Sequence, residues 1–248
     1  MAALKKTLCS VIVFYLIFCC GINSSDTRNS GSVPENECVI LIHGFNKTSL
    51  DMSSLDKYLS GSGYNTECPT LPTTFRTVED CTALFKQKFP EIAEKYDRIH
   101  LVGHSMGGLI IRKFLSENHV PNLGRCVLIA TPNQGTDLAG FVARYFKFSL
   151  RLFRSIEDFQ PGGLPIPSPM QAPTLEIGVI AGSDSNLLLG KFIEGENDGR
   201  VPVDGVPFPG MTDFTVAPYG HHNIHHTAEV AILVINFLRN GTFGTRRR

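Results

Sequence analysis

The stretch Leu101-Val102-Gly103-His104-Ser105-Met106-Gly107-Gly108 decides how this chain is read. An apolar run from Ile99 to Val102, broken by His100, leads into Gly-x-Ser-x-Gly, and a pattern of helical period follows at once. This is the sequence of a nucleophile elbow, a serine on a strand-to-helix turn too tight for side chains at its flanks. Gly103 and Gly107 lack a Cβ where strand and helix nearly touch. The turn lifts the Ser105 hydroxyl above the sheet, and the helix N-terminus beneath it favours developing negative charge.

Working outward, buried strands alternate with amphipathic helices. Cys38-Val39-Ile40-Leu41-Ile42 is a continuous apolar run ended by His43-Gly44-Phe45, as expected of a strand covered on both faces. Ser49 to Ser60 has helical spacing, with Leu50, Leu55 and Leu59 inward, and Gly61 and Gly63 stop it. Thr77 to Tyr96 predicts a longer helix, kinked or split at Pro90. Arg98–His104 is the elbow strand, Met106–Glu117 the elbow helix, and Arg125–Thr131 the next strand. Glu176–Ala181 and Thr212–Ala217 are further strands, and Thr227–Leu238 is a closing helix ended by Asn240-Gly241. This order predicts βαβ units and a mostly parallel sheet with helices on both faces and the site at the strands' C-terminal ends.

The segment from Thr136 to Pro173 breaks the alternation. Phe141, Tyr145, Phe146, Phe148, Leu152 and Phe153 are interleaved with Arg144, Lys147, Arg151 and Arg154, and a Pro/Gly-rich run follows. It reads as a lid or cap insertion bordering an apolar acyl pocket and touching a membrane or lipid interface; an ordinary covering helix with a long loop is the simpler account.

The 248 residues carry 23 Lys+Arg against 23 Asp+Glu, so the formal net charge is zero. That balance speaks against a nucleic-acid partner, which leaves a basic excess. Residues 1–25 read as a signal peptide or N-terminal anchor: Lys5 and Lys6 precede the apolar run Leu8–Cys20, and Gly21 to Ser25 turns small and polar. The run is short for a bilayer span, which takes about 20 residues. Residues 26–37 read as a disordered lead-in, 38–243 as the catalytic domain and 244–248 as a basic tail. Export, periplasmic or secreted, follows from the leader. Cys68 and Cys81 bracket a Pro/Thr-rich loop that a disulfide could close, free thiols being the alternative. Cys38 and Cys126 open apolar runs and read as strand packing.

A serine hydroxyl is a poor nucleophile until a base removes its proton, and in chains of this order an acid and then a histidine follow the serine. His221 and His222 lie in a loop after Pro218-Tyr219-Gly220; His225 and His226 lie near the helix start, where capping or solvent exposure suffices to explain them. His221 is the preferred base, with His222 second. No carboxylate or cysteine nearby in sequence completes a metal site from the four, and no C-x-x-C or H-E-x-x-H spacing occurs. No metal and no cofactor is expected. For the acid, Asp198 sits in a turn-forming Asn197-Asp198-Gly199 before an apolar stretch, and it is preferred over Asp184, whose Asx-turn explanation is good, and over Asp204. Two backbone N–H donors are needed for an oxyanion: Met106, directly after the serine, and Phe45, after the first strand. His43 is not assigned proton transfer, and His104 is expected to pack beneath the turn.

With His43-Gly44-Phe45, Gly103 to Gly108, Thr131-Pro132-Asn133-Gln134-Gly135-Thr136, Asn197-Asp198-Gly199 and Tyr219-Gly220-His221 in place, the chain resembles the α/β-hydrolase superfamily. The likeness is to its lipase/esterase branch and small bacterial lipase-like hydrolases, and it runs from Cys38 to about Phe243. It implies an α/β-hydrolase fold and Ser105, Asp198 and His221 as a catalytic triad, and it favours Asp198 over Asp184. The doubled histidine pair departs from the pattern. The activity implied is hydrolysis of acyl esters, including those of lipids. An acyltransferase, thioesterase or amidase would use the same triad, and a non-catalytic binder of apolar ligands is the reading from another class.

Overall fold

The computed structural model describes residues 36–136, 154–166, 175–186 and 188–244. The expected leader, nearly all of the lead-in, most of the basic tail and most of the Thr136–Pro173 insertion lie outside the described residues. Among the described residues six strands form one sheet: β1 (Glu37–Ile42), β2 (Asn65–Glu67), β3 (Arg98–His104), β4 (Leu123–Ile129), β5 (Ile177–Gly182) and β6 (Asp213–Ala217). All neighbours are parallel, in the order β2-β1-β3-β4-β5-β6. Among the described residues four α-helices accompany them: α1 (Ser53–Ser60), α2 (Val78–Ala93), α3 (Met106–Glu117) and α4 (Ala228–Asn240).

The central strands β1, β3, β4 and β5 carry the apolar runs because both faces of the sheet are covered there, and the period-two side-chain alternation sorts them. Cys38, Ile40, Ile42, Leu101, Cys126 and Leu128 pack against α2 and α3 through Phe85, Phe89, Ile110 and Phe114. Val39, Leu41, Val102, Val127 and Ile129 point the other way, against Leu55 and Leu59 of α1 and Val230, Val234 and Phe237 of α4. Each fully buried aliphatic side chain removes enough apolar surface from water to contribute about 1.5–3 kcal/mol. The chain runs outward from β1 to β2, then returns to lay β3 on the other side of β1. Connections therefore diverge at the β1/β3 boundary, and a crevice opens above those two strand ends.

Several local expectations are corrected. Residues 49–52 form a 3₁₀ turn before α1, and its three-residue period turns Met52 inward while Leu50 is 80% exposed. Helix α2 runs in one piece through Pro90, which lies in its final turn and so removes a single ladder bond. Strand β2 is a short, polar edge strand whose Asn-Thr-Glu carries no apolar alternation to announce it. His100, which interrupts the β3 apolar run, is buried: its Nε2 lies 3.1 Å from Glu37 Oε2, and its Nδ1 accepts the Arg125 N–H where the β3–β4 register shifts. The 68–81 loop is not closed by a disulfide; Cys38, Cys68, Cys81 and Cys126 are free thiols. Thr227 caps α4 by accepting the Val230 N–H, and Gly241 ends it at φ 73°. Among the described residues, no helix is long and apolar enough to cross a membrane.

Buried Arg112 of α3 ties the elbow helix to the loops beyond it. Its guanidinium donates to the Asn133 carbonyl and to Asn133 Oδ1 at 3.2 and 3.0 Å and lies 4.0 Å over the Phe208 ring. Burial pulls its pKa down to about 10. Replacing it with alanine leaves Asn133 without these donors and opens a cavity. Arg112→Ala should lower unfolding free energy by about 2–4 kcal/mol in urea titration; a loss below about 0.5 kcal/mol would show that the residue is dispensable. Burial also pushes the thiols of Cys38, Cys68, Cys81 and Cys126 up to about 12. Site-resolved mass spectrometry after iodoacetamide at neutral pH should find these four unmodified in the native protein and alkylated in denaturant.

Candidate active site

The crevice above β1 and β3 is lined by residues from six stretches of the chain. Ser105 stands between β3 and α3 at φ 54°, ψ −122°, a strained conformation that costs about 1–3 kcal/mol outside such a setting. The surrounding backbone leaves it no alternative. A Cβ on Gly103 would stand 2.6 Å from the Gly107 carbonyl carbon, and one on Gly107 would overlap the Ile42 carbonyl oxygen. The Ser105 N–H donates to Ile129 O at 2.9 Å, so the turn is also fixed from the β4 side.

Asp198 and His221 arrive from the loops after β5 and β6. His221 Nδ1 donates to Asp198 Oδ2 at 2.7 Å, and its Nε2 lies 2.9 Å from Ser105 Oγ, from which it accepts. The carboxylate thus sets the tautomer in which Nε2 carries the lone pair. Asp198 is fully buried, and its other oxygen accepts two backbone N–H groups, Arg200 at 2.9 Å and Val201 at 2.7 Å. A second bond, His221 N–H to Asp198 O at 2.9 Å, joins the two loops through the backbone. The structure therefore brings Ser105, Asp198 and His221 into one hydrogen-bonded line. Asp184 is elsewhere, accepting the Asn186 N–H in an Asx turn, and Asp204 is exposed. His222 lines the same cavity as Ser105, but its Nε2 accepts from Arg200 Nη2 at 3.1 Å rather than from the serine.

On the opposite wall, His43 braces the loop after β1. Its Nδ1 donates to Gly44 O at 3.0 Å and its Nε2 accepts the Leu71 N–H at 3.0 Å, a pattern only the neutral ring can make, and burial lowers its pKa. Thr73 Oγ1 donates to the same Gly44 carbonyl at 2.9 Å. In a trans peptide the N–H points opposite the C=O, so fixing the Gly44 carbonyl aims the Phe45 N–H the other way. Gly44 lies close over the serine: a Cβ on it would stand 3.1 Å from Ser105 Cβ. Met106 opens α3, where the N–H has no intrahelical acceptor and the helix dipole is positive.

His104 is buried beneath the elbow, as its position predicts, and its Nε2 donates to the His221 carbonyl at 3.0 Å. Burial, reinforced by neighbouring His225 and His221, holds its pKa well below the histidine range. His225 departs from expectation: it is buried, stacks on His104 with ring centroids 3.8 Å apart, and lies 3.0 Å from Asp51 Oδ2 through its Nε2. Burial pushes the Asp51 carboxyl up, but the His225 hydrogen bond and Lys47 outweigh it and hold the group below the usual carboxylate range. Asp51 is the carboxylate that sequence proximity did not supply to the histidine cluster; the fold delivers it from the loop after β1.

The cavity above Ser105 and His221 has a volume of about 280 Å³. Phe45, Pro132, Ile156, Phe159 and Val201 give it apolar walls, and Lys47 and Arg200 stand among the polar lining residues. Ile156 and Phe159 belong to a 3₁₀ stretch (Arg154–Phe159) within the insertion. It is fixed by the Thr136 N–H to Phe159 O bond at 2.7 Å, by Asp158 accepting the Val78 N–H at 2.8 Å, and by edge contact of Phe159 with Phe45. Sequence reading missed Ile156, Phe159, Lys47, Arg200 and Asp51 as site residues; each lies in an irregular segment with no periodic or spacing signal.

Comparison with known proteins agrees with this architecture. A family model described as the alpha/beta hydrolase family matches residues 39–230. A search of curated proteins found no match to the sequence. Among solved structures, the mature lipase BlEst2 of Bacillus licheniformis superposes with a TM-score of 0.70 at 19% identity, covering 86% of this chain and 95% of that one. The phospholipase PlaB of Legionella pneumophila gives 0.62 at 17% identity, covering 84% of this chain and 60% of that one. A metagenomic carboxyl esterase gives 0.57 at 16%, covering 77% and 66%. At such identities the likeness concerns the fold, and together with the matched model it establishes that the chain belongs to the α/β-hydrolase family.

Proposed function

We propose that this hydrolase cleaves carboxylic esters, with the acyl esters of lipids as its substrate class, by a serine acyl-enzyme route. The observation that carries the reading is the line of hydrogen bonds from Asp198 through His221 to Ser105 at the floor of an apolar cavity. Ser105 Oγ attacks the ester carbonyl carbon while His221 Nε2 takes its proton. The carbonyl oxygen becomes an oxyanion held by the Phe45 and Met106 N–H groups. Collapse breaks the bond to the alcohol, which leaves with the proton from His221. Water then attacks the acyl-enzyme with His221 again as base, and the acid is released. Asp198 stays ionised throughout, orienting the imidazole and stabilising its cationic form.

The apolar walls support an acyl-chain substrate, because a short polar ester would leave Phe45, Ile156 and Phe159 against water. Export through the Lys5–Ser25 segment, with cleavage or retention as an anchor, belongs to the same reading and is supported by its charge and hydropathy pattern. Contact with a lipid surface through the 136–173 insertion is supported by its interleaved aromatic and basic residues.

Two measurements test the proposal. Ser105→Ala and His221→Ala should each lower kcat/KM on p-nitrophenyl butyrate by about 10⁴-fold or more, whereas His222→Ala should stay within about threefold because it lacks contact with Ser105. Retained activity in His221→Ala with loss in His222→Ala would move the base. In a p-nitrophenyl ester series, kcat/KM should rise from acetate towards medium-chain acyl groups; a monotonic fall with chain length would remove lipids from the substrate class.

A further inference from the structure

Beside the triad, three side chains converge that take no part in it. Asp51 lies in the 3₁₀ turn Ser49–Met52, and His225 and His226 lie in the 3₁₀ turn Ile224–His226. His225 Nε2 is 3.0 Å from Asp51 Oδ2, and His226 Nε2 is 3.8 Å from Asp51 Oδ1. The donor atoms all fall within 4.8 Å of one another. A buried ion pair would explain His225 alone. It does not explain why its neighbour turns to the other oxygen of the same carboxylate. Successive side chains of a 3₁₀ turn diverge by about 120°, yet these two rings lie with centroids 4.0 Å apart. The side chain of His225 is fully buried and that of Asp51 is 8% exposed, while that of His226 is 35% exposed, so the cluster has a closed floor and one open side. It already attracts a cation: Lys47 Nζ stands 3.1 Å from Asp51 Oδ1, on a side chain exposed enough to withdraw.

We propose that Asp51, His225 and His226 form a binding site for a divalent transition-metal ion of the zinc class. Two imidazole nitrogens and one carboxylate oxygen make a borderline-soft donor set that suits zinc, whereas calcium and magnesium favour oxygen alone. Ligands around a tetrahedral zinc stand about 3.3 Å apart. A small rotation of half-exposed His226 closes the set, and water takes the fourth position from the open side. The ion displaces the Lys47 ammonium, which moves toward the cavity it already lines. Its effect is to clamp the histidine loop to the loop after β1. Through the stack of His225 on His104, which holds the His221 carbonyl, that clamp reaches the loop carrying the triad histidine.

The test is titration of Co²⁺, and of Zn²⁺ against a chromophoric chelator, into the chelator-stripped full-length protein. The expected result is one ion per chain, with cobalt d–d bands and no thiolate charge-transfer band. The melting temperature should rise by about 5–10 °C at roughly a hundredfold excess over Kd. Asp51→Asn and His226→Gln should each weaken binding at least about tenfold. Lys47→Ala should tighten it, a change of opposite sign that impaired folding cannot imitate. Failure to bind one equivalent, binding undiminished in both ligand variants, or a thiolate band would each overturn the site. The readout is the bound ion, so it is independent of the ester-hydrolase proposal.

Discussion

Backbone meets backbone beneath Ser105. Gly107 packs on the end of β1 at Ile42 and His43, Gly103 packs on Gly107, and neither position has room for a methyl group. That contact lets α3 begin immediately after β3. It also holds Ser105 at a positive φ, which the sheet and helix on either side over-determine. The hydroxyl is consequently presented at the crevice where the connections from β1 and β3 diverge. Met106 reaches the same point at the positive end of α3. Every other feature of the site is positioned relative to this turn.

The remaining groups are held by polar contacts between loops that are distant in sequence. Asp198 is fixed by the N–H groups of Arg200 and Val201 and answers with its own carbonyl to the His221 N–H. His221 is then bound at three points: its N–H by Asp198, its ring by Asp198 and Ser105, and its carbonyl by His104. His43 and Thr73 do similar work on the opposite wall by fixing the Gly44 carbonyl. A loop built this way has little conformational freedom left to lose, which is the preorganisation that the proposed acyl-transfer chemistry requires.

Much of this was legible in the sequence where periodicity or tight spacing leaves a mark. The β3–Ser105–α3 unit could be read because glycine is demanded on both sides of the serine and apolar residues follow at two different periods. The Asn-Asp-Gly turn and the Gly-His pair announced the loops after β5 and β6 in the same way. What could not be read depends on tertiary convergence. Asp51 lies 174 positions from His225, and nothing local links them. His225 therefore looked like an exposed residue at a helix start although it is buried against His104. Leu50 was misplaced because a 3₁₀ turn shifts the face that a 3.6-residue period assigns. Strand β2 is too short and too polar to carry an alternation. Phe159 and Ile156 enter the cavity wall from a stretch whose backbone is set by Thr136 and Asp158 rather than by its own pattern.

The most direct measurement is reaction of the native protein with a fluorophosphonate, followed by proteolysis and mass spectrometric mapping of the adduct. Activation of a single hydroxyl by His221, with N–H donors aimed at the phosphoryl oxygen, predicts rapid stoichiometric phosphonylation of Ser105 that is lost in His221→Ala. An unlabelled native protein, or label distributed over other serines at a rate unaffected by that substitution, would contradict the assignment of Ser105 as an activated nucleophile.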